Sequence, residues 1–201
     1  MPGHRTAVFC ALTLLVPAIA FGAGDPHQSL RIEGGFPVPA GPTPFKTRYE
    51  RLFSVRAVGE GVIVKHLSFR MSTGYSEFAH ARTRTYVSGG GGWNLSSLWG
   101  LTVWPLEREA PVHPYLTVAL GSSGFELKDV VIDTGTGPRK VSSAFKNGLG
   151  TSLELGMLAF QGASRWGMSV AAERTSVDSP MGVVVFTAYR AGLAYRYRGR
   201  Q

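Results

Sequence analysis

The side chains that could do chemistry are few and scattered. Downstream of the first twenty residues the histidines are His27, His66, His80 and His113. His66 and Ser68 lie two residues apart, so in a strand they would share a face. A base beside a hydroxyl is the start of a nucleophile–base pair, but no third orienting group is evident. No Gly-x-Ser-x-Gly elbow occurs. The histidines never fall at a His-x-x-x-His spacing. Gly89-Gly90-Gly91-Gly92 is followed by no Gly-Lys-Ser/Thr, so it is not a phosphate loop. Cys10 is the only cysteine, which leaves no disulfide or thiolate metal site beyond it. No cofactor or metal is expected. A second set of reactive groups is more regular. Arg31, Glu33, Arg70, Glu154, Glu173, Arg190 and Arg196 all fall on the less apolar parity of alternating stretches. Their chemistry is ion pairing rather than catalysis.

The elements that carry these charges are strands with one greasy side. From Val183 to Tyr197 one parity reads Val183, Val185, Thr187, Tyr189, Ala191, Leu193, Tyr195, Tyr197. The other reads Val184, Phe186, Ala188, Arg190, Gly192, Ala194, Arg196. Successive side chains of a strand point to opposite faces. A water-facing side would carry long Lys, Glu and Gln. Gly and Ala with a few charges suit a cramped polar interior instead. Apolar outside and polar inside is the pattern of a membrane barrel. Leu67, Phe69 and Met71 alternate with Ser68, Arg70 and Ser72 in the same way. So do Leu153, Leu155 and Met157 with Ser152, Glu154 and Gly156.

Eight such strands are expected, at roughly 28–37, 46–57, 62–76, 90–105, 112–122, 147–159, 164–175 and 182–198. Most reach the roughly 9–11 residues that a tilted strand needs to cross hydrocarbon. Short connections (58–61, 106–111, 160–163) alternate with longer ones (38–45, 77–89, 123–146, 176–181). That alternation predicts an all-β, eight-stranded antiparallel up-and-down transmembrane β-barrel with both ends on the periplasmic side. The second strand is the least regular, because Arg51 shares the parity of Phe53 and Val55 and would face lipid near an interface.

The start of the chain reads as an address. Arg5 precedes an apolar run from Ala7 to Ala20, 14 residues and too short to span a bilayer as a helix. Ala18-Ile19-Ala20 fits a small-x-small cleavage site. The expected organisation is a signal peptide over 1–20 and a barrel domain over 21–201. The latter carries 20 basic against 13 acidic residues, a net charge of +7. Export makes nucleic acid an unsuitable partner, and anionic lipid or polysaccharide a suitable one.

The Trp104-Pro105-Leu106 and Pro114-Tyr115-Leu116 hairpin and the ending Gly192-Leu193-Ala194-Tyr195-Arg196-Tyr197, with the leader and strand count, resemble a known group. The chain looks like the small eight-stranded outer-membrane β-barrels, such as the OmpA membrane domain and the opacity-protein family. The resemblance implies residence in the cell outer membrane. It also implies partners: the barrel insertion machinery, which reads an aromatic near the end of the last strand, and outer-membrane lipid and lipopolysaccharide.

Eight strands leave an interior just wide enough for side chains. Arg31, Glu33, Arg70, Glu154, Glu173, Arg190 and Arg196 are therefore expected to pair as a lumen charge network. Trp93, Trp99, Trp166, Tyr189, Tyr195 and Tyr197 are expected at the membrane–water boundary. Arg82, Arg84, Lys128, Arg139, Lys140 and Lys146 lie in the long connections, as candidates for contact with a surface polyanion. The expected role is structural or interactive, without a catalytic centre. The alternatives are a narrow channel, a lipid-modifying enzyme and a soluble lipocalin-like barrel with its polarity the other way round.

Overall fold

The computed structural model describes residues 28–82, 86–106, 110–161 and 164–196. Eight antiparallel strands close into a barrel. They are β1 (Ser29–Gly41), β2 (Tyr49–Val64), β3 (Leu67–His80), β5 (Gly92–Val103), β6 (Val112–Leu127), β9 (Ala144–Phe160), β10 (Trp166–Ser179) and β11 (Gly182–Arg196). Each pairs with its sequence neighbour in the barrel, and β1 closes on β11 through a register that includes Ile32 opposite Leu193. Closure removes every strand edge, which a membrane demands because lipid cannot satisfy an open ladder. No helix among the described residues is long and apolar enough to cross a membrane, so any crossing is made by strands.

The polarity is inside out. Ile32, Leu155, Met168 and Leu193 are each more than 60% exposed, whereas Arg31 and Glu154 are at most 1% exposed. A soluble lipocalin-like barrel would have the reverse, so that alternative is excluded. On β6 the outward apolar residues run from Val112 through Leu116 and Val118 to Leu120. That length matches the roughly 9–11 residues of a hydrocarbon crossing.

Several boundaries differ from the sequence expectation. The expected turn at 58–61 lies inside β2, and the chain reverses at Lys65–His66, where His66 takes φ 71°. Gly59 and Gly61 suggested a turn, but both stay extended and flank the inward side chain of Glu60. The expected long connection at 176–181 is a two-residue reversal at Pro180–Met181. The connection 38–45 continues β1 to Gly41 and then forms a six-residue helix, α1 (Thr43–Arg48). The 123–146 connection is mostly extended. β6 and β9 run past the apolar belt, and β7 (Val130–Asp133) and β8 (Pro138–Val141) join β4 (Tyr86–Gly89) in a three-stranded sheet.

The interior is not uniformly polar, which corrects the polar-inside expectation at both ends. Toward α1 the lumen is filled by Phe45, Tyr49, Phe78, Phe125, Val177, Val184 and Phe186. Phe45 comes from α1 itself and is fully buried, packing edge-on against Phe78 at 5.2 Å and Phe125 at 5.9 Å. At the opposite end Trp104, Tyr115, Leu158, Phe160 and Ala194 form a second apolar layer. Among the described residues the fully buried charges occupy only the middle. An eight-stranded lumen must be filled, and where no counter-ion is in reach apolar rings fill it without a desolvation penalty.

Candidate functional site

The middle layer holds four arginines and four glutamates among the described residues: Arg31, Arg56, Arg70 and Arg190 with Glu33, Glu60, Glu154 and Glu173, all buried. Glu154, on β9, is the hub. Arg70 of β3 reaches it with a fork, Nη1 to Oε1 at 3.0 Å and Nη2 to Oε2 at 2.7 Å. Tyr115 of β6 donates its hydroxyl to Oε1 at 2.6 Å, and Arg56 of β2 donates to Oε2. Arg56 also bonds Glu33 through Nε at 3.0 Å and approaches Glu173 at 3.1 Å. Arg190 pairs with Glu173 and donates through Nε to Ser54 Oγ at 3.0 Å. Arg31 completes the set with Glu60 at 2.9 Å, and its guanidinium stands 4.8 Å from the Tyr115 ring.

Each cation in this layer is arginine. A planar fork satisfies several carboxylate oxygens at once, which a lysine point charge cannot do. Burying one ion without a partner costs several kcal/mol, and equal numbers of each sign leave none uncompensated. Small residues make room for the long side chains. A Cβ at Gly156 would overlap the Tyr115 ring, so glycine there is what admits the tyrosine that holds Glu154.

Arg196, also assigned to the lumen from sequence, is only partly buried and lies at the open end of β11, 4.8 Å over the Phe160 ring. Arg56 and Glu60 were missed. Both sit on the parity of Ser54, opposite Phe53 and Val55. Continuing β2 through residues 58–61 would have found Glu60, whereas Arg56 lies within the expected 46–57 strand on its inward parity.

His66 and Ser68 form no dyad. His66 Nδ1 lies 2.8 Å from the Trp104 carbonyl, and Ser68 Oγ accepts from Trp104 Nε1 at 2.9 Å. Trp104 thus occupies both, and ties the Lys65–His66 reversal to the next one. Among the described residues no group of three or more His, Cys, Asp and Glu is placed to hold a metal ion.

On the outer face the aromatics gather in two places. Trp93 stacks on Tyr75 at 6.2 Å and meets Phe145 at 5.9 Å, while Tyr189 packs on Phe36 at 5.8 Å. At the other end Trp166 meets Tyr195 at 5.0 Å. Trp99 is 54% exposed on the same outer face, between Leu95 and Leu101 in parity. Tyr197 lies outside the described residues, as do residues 1–20, expected as a leader, and Arg84. The loop lysines are not free charges. Lys128 pairs with Glu77, Lys140 with Asp129 at 2.6 Å, and Lys146 with Asp178 at 3.8 Å. Arg82 and Arg139 are exposed, as are Lys46 and Arg48 in the last turn of α1.

No family model matches the chain, and no curated protein does. Solved structures do. Neisserial surface protein A is 14% identical, with 84% of this chain and 96% of that one covered and a TM-score of 0.57. The outer membrane protein OprG of Pseudomonas aeruginosa is 12% identical, with 88% and 99% covered and a TM-score of 0.54. The fold is that of a small outer-membrane β-barrel. Almost the whole of each neighbour is matched by this chain. At such identities the likeness reaches the architecture and stops there. The exposed hydrocarbon belt is an independent physical reason to place this barrel in a bilayer.

Proposed function

We propose that the protein is an integral outer-membrane barrel that acts by surface contact at its extracellular end, with no passage through its centre and no catalytic centre. Residues 1–20 serve as the export leader and 21–201 as the barrel. The filled lumen carries this reading: a charge-balanced network between two aromatic layers leaves a solute no continuous path. The extracellular end, by contrast, is an ordered platform of α1 and the β4–β7–β8 sheet. Its contact cations are Arg82 and Arg139, joined by Lys46 and Arg48. Lys128, Lys140 and Lys146 instead brace the platform through their carboxylate partners. The aromatic pairs on the outer face anchor the barrel at the two interfaces.

The partner class is a surface polyanion, either a sulfated or phosphorylated glycan or the phosphates of lipopolysaccharide. The test is binding of the folded barrel to immobilised heparin across a salt series. Binding should weaken as salt rises, and the quadruple variant Lys46→Gln, Arg48→Gln, Arg82→Gln, Arg139→Gln should lose it. Equal retention of that variant would remove the polyanion reading. Planar-bilayer recordings decide the channel alternative, and mass spectrometry of lipid A from an overexpressing strain decides the enzyme alternative.

A further inference from the structure

The outer wall of the barrel carries a feature that surface contact at the loops does not use. A shallow furrow of about 630 Å³ crosses β1, β11, β10 and β9 on the face that meets hydrocarbon, and its lining is almost wholly apolar. Its size lies in the roughly 300–1,000 Å³ range of ligand sites. The register explains the depression. Gly34 of β1 pairs with Ala191 of β11, Ala191 with Val170 of β10, and Val170 with Met157 of β9. One row toward the extracellular end, Phe36 pairs with Tyr189, Tyr189 with Ala172, and Ala172 with Leu155. Gly34, Ala191 and Ala172 make a low floor between Phe36, Tyr189 and Met157.

Two outward cations border the furrow on its extracellular side. Arg51 of β2 is exposed, with its guanidinium 5.1 Å over the Phe36 ring. The register shift between Arg51 and Phe53 leaves Arg51, Leu52 and Phe53 all exposed, which is how an arginine reaches this wall. Arg174 of β10 is exposed on the same face as Ala172, two residues on, where the apolar series Met168, Val170, Ala172 gives way to Ser176 and Asp178. Among the described residues neither arginine forms an ion pair. Asp178, on the parity of Arg174, is taken by Lys146, and Glu50 is exposed beside Arg51 in sequence. A cation at the edge of hydrocarbon takes an anionic partner, and beside an apolar trough that partner is a lipid phosphate.

We propose that this wall binds one molecule of a bis-phosphorylated glycolipid of the outer leaflet, with an acyl chain in the Gly34–Ala191–Ala172 furrow and its phosphates on Arg51 and Arg174. β2 and β10 are three strand spacings apart around the wall, roughly 14 Å at about 4.8 Å per strand. One phosphodiester cannot bridge that gap, whereas two phosphates on a disaccharide can. The site rests on the barrel's residence in a membrane and is independent of the loop cations assigned to polyanion contact.

The test is native mass spectrometry of the folded barrel released from detergent micelles, titrated separately with lipid A and with phosphatidylglycerol. Lipid A should be retained at one per barrel, at least tenfold more tightly than phosphatidylglycerol. Arg51→Gln with Arg174→Gln should lower that retention tenfold or more. Gly34→Ile places a branched side chain in the furrow from an open position, where a Cβ meets nothing within 4 Å. It should lower retention while folded gel mobility and heparin binding stay unchanged. Equal retention of the two lipids, or retention unaffected by either variant, overturns the proposal. So does a barrel dimer in the spectrum that Gly34→Ile dissolves, which would make a second copy the occupant.

Discussion

Removing the carboxylate of Glu154 tests the central layer most directly. Three groups converge on it: the Arg70 fork, an Arg56 nitrogen and the Tyr115 hydroxyl. Arg56 keeps Glu33 and Glu173 after the loss, but Arg70 keeps only neutral partners, a 2.9 Å bond to Thr117 and the Tyr115 ring at 5.8 Å. In Glu154→Leu the lumen therefore holds four arginines against three glutamates, with Arg70 left uncompensated. Breaking a buried pair from one side costs roughly 3–5 kcal/mol. With a urea slope of about 2 kcal/mol per molar, a loss of about 4 kcal/mol moves the unfolding midpoint down by about 2 M. Glu154→Lys should be worse, because it adds a positive charge as well as removing a negative one. The assay is urea unfolding of the barrel in lipid vesicles, followed by tryptophan fluorescence and by heat-modifiable gel mobility. Adding Arg70→Leu to Glu154→Leu restores equal numbers and should recover at least half of the lost stability, a coupling that only contacting residues show. A midpoint for Glu154→Leu within about 0.25 M of wild type, equivalent to about 0.5 kcal/mol, would refute the paired-network reasoning.

Other outcomes follow from the same contacts. Tyr115→Phe removes one hydrogen bond to a charged group and should cost roughly 1.5–3 kcal/mol in the same unfolding assay. Gly156→Val should cost more than Tyr115→Phe, because its side chain drives the Tyr115 ring off its seat and the hydroxyl off Glu154. Trp104→Ala removes the largest ring of the lower apolar layer and leaves Ser68 Oγ without its indole donor, while the backbone bonds to His66 remain, for a loss of roughly 3–5 kcal/mol. In the extracellular loop, the Lys140 ammonium and then the Ser143 N–H hold the Asp129 carboxyl below its ordinary value. A carboxylate depressed in the folded state contributes above its unfolded value and ceases to as pH falls through the folded one. Protease protection of the 128–143 segment should therefore persist at pH 5 and fade only below the usual aspartate range. Loss of protection between pH 7 and pH 5 would contradict that order.

How much of this was legible depended on whether the two faces of a strand met different solvents. Through the belt they do, so Leu153, Leu155 and Met157 against Glu154 and Gly156 revealed both the strand and its facing. Above the belt the outer face meets water, while the inner face meets the apolar plug on β6, where Phe125 is buried, and water on β9 at 144–147, so apolar-out and polar-in no longer marks the strand. That is why β6 and β9 were cut short and the β7–β8 hairpin went unseen. Helix α1 was hidden for a different reason. Its six residues are too few to show a period, and its one buried side chain, Phe45, acts as a cork in someone else's strands. Glu60 was lost to a local cue, since glycine on either side looked like a turn, and only its pairing with Arg31 across the ladder explains why an extended chain keeps it there. The loop lysines carried a sign in the sequence but not a partner. Glu77, Asp129 and Asp178 lie 51, 11 and 32 positions away from them, separations at which sequence alone gives no contact.

Charge accounting narrows where interaction can occur. The lumen takes four positive and four negative side chains, so it contributes nothing to the net +7 expected for residues 21–201. The excess lies entirely outside it. At the extracellular end the described residues supply nine cations (Lys46, Arg48, Arg51, Arg82, Lys128, Arg139, Lys140, Lys146 and Arg174) against six anions (Glu50, Glu77, Glu126, Asp129, Asp133 and Asp178). Three of those cations are held by three of those anions. What is left divides by height. Arg51 and Arg174 stand on the wall beside apolar surface, where an anion must bring an acyl chain with it. Lys46, Arg48, Arg82 and Arg139 stand on the platform in water, where an anion needs none. One basic chain thus presents two chemically different binding surfaces, and neutralising either set should leave the other's ligand bound.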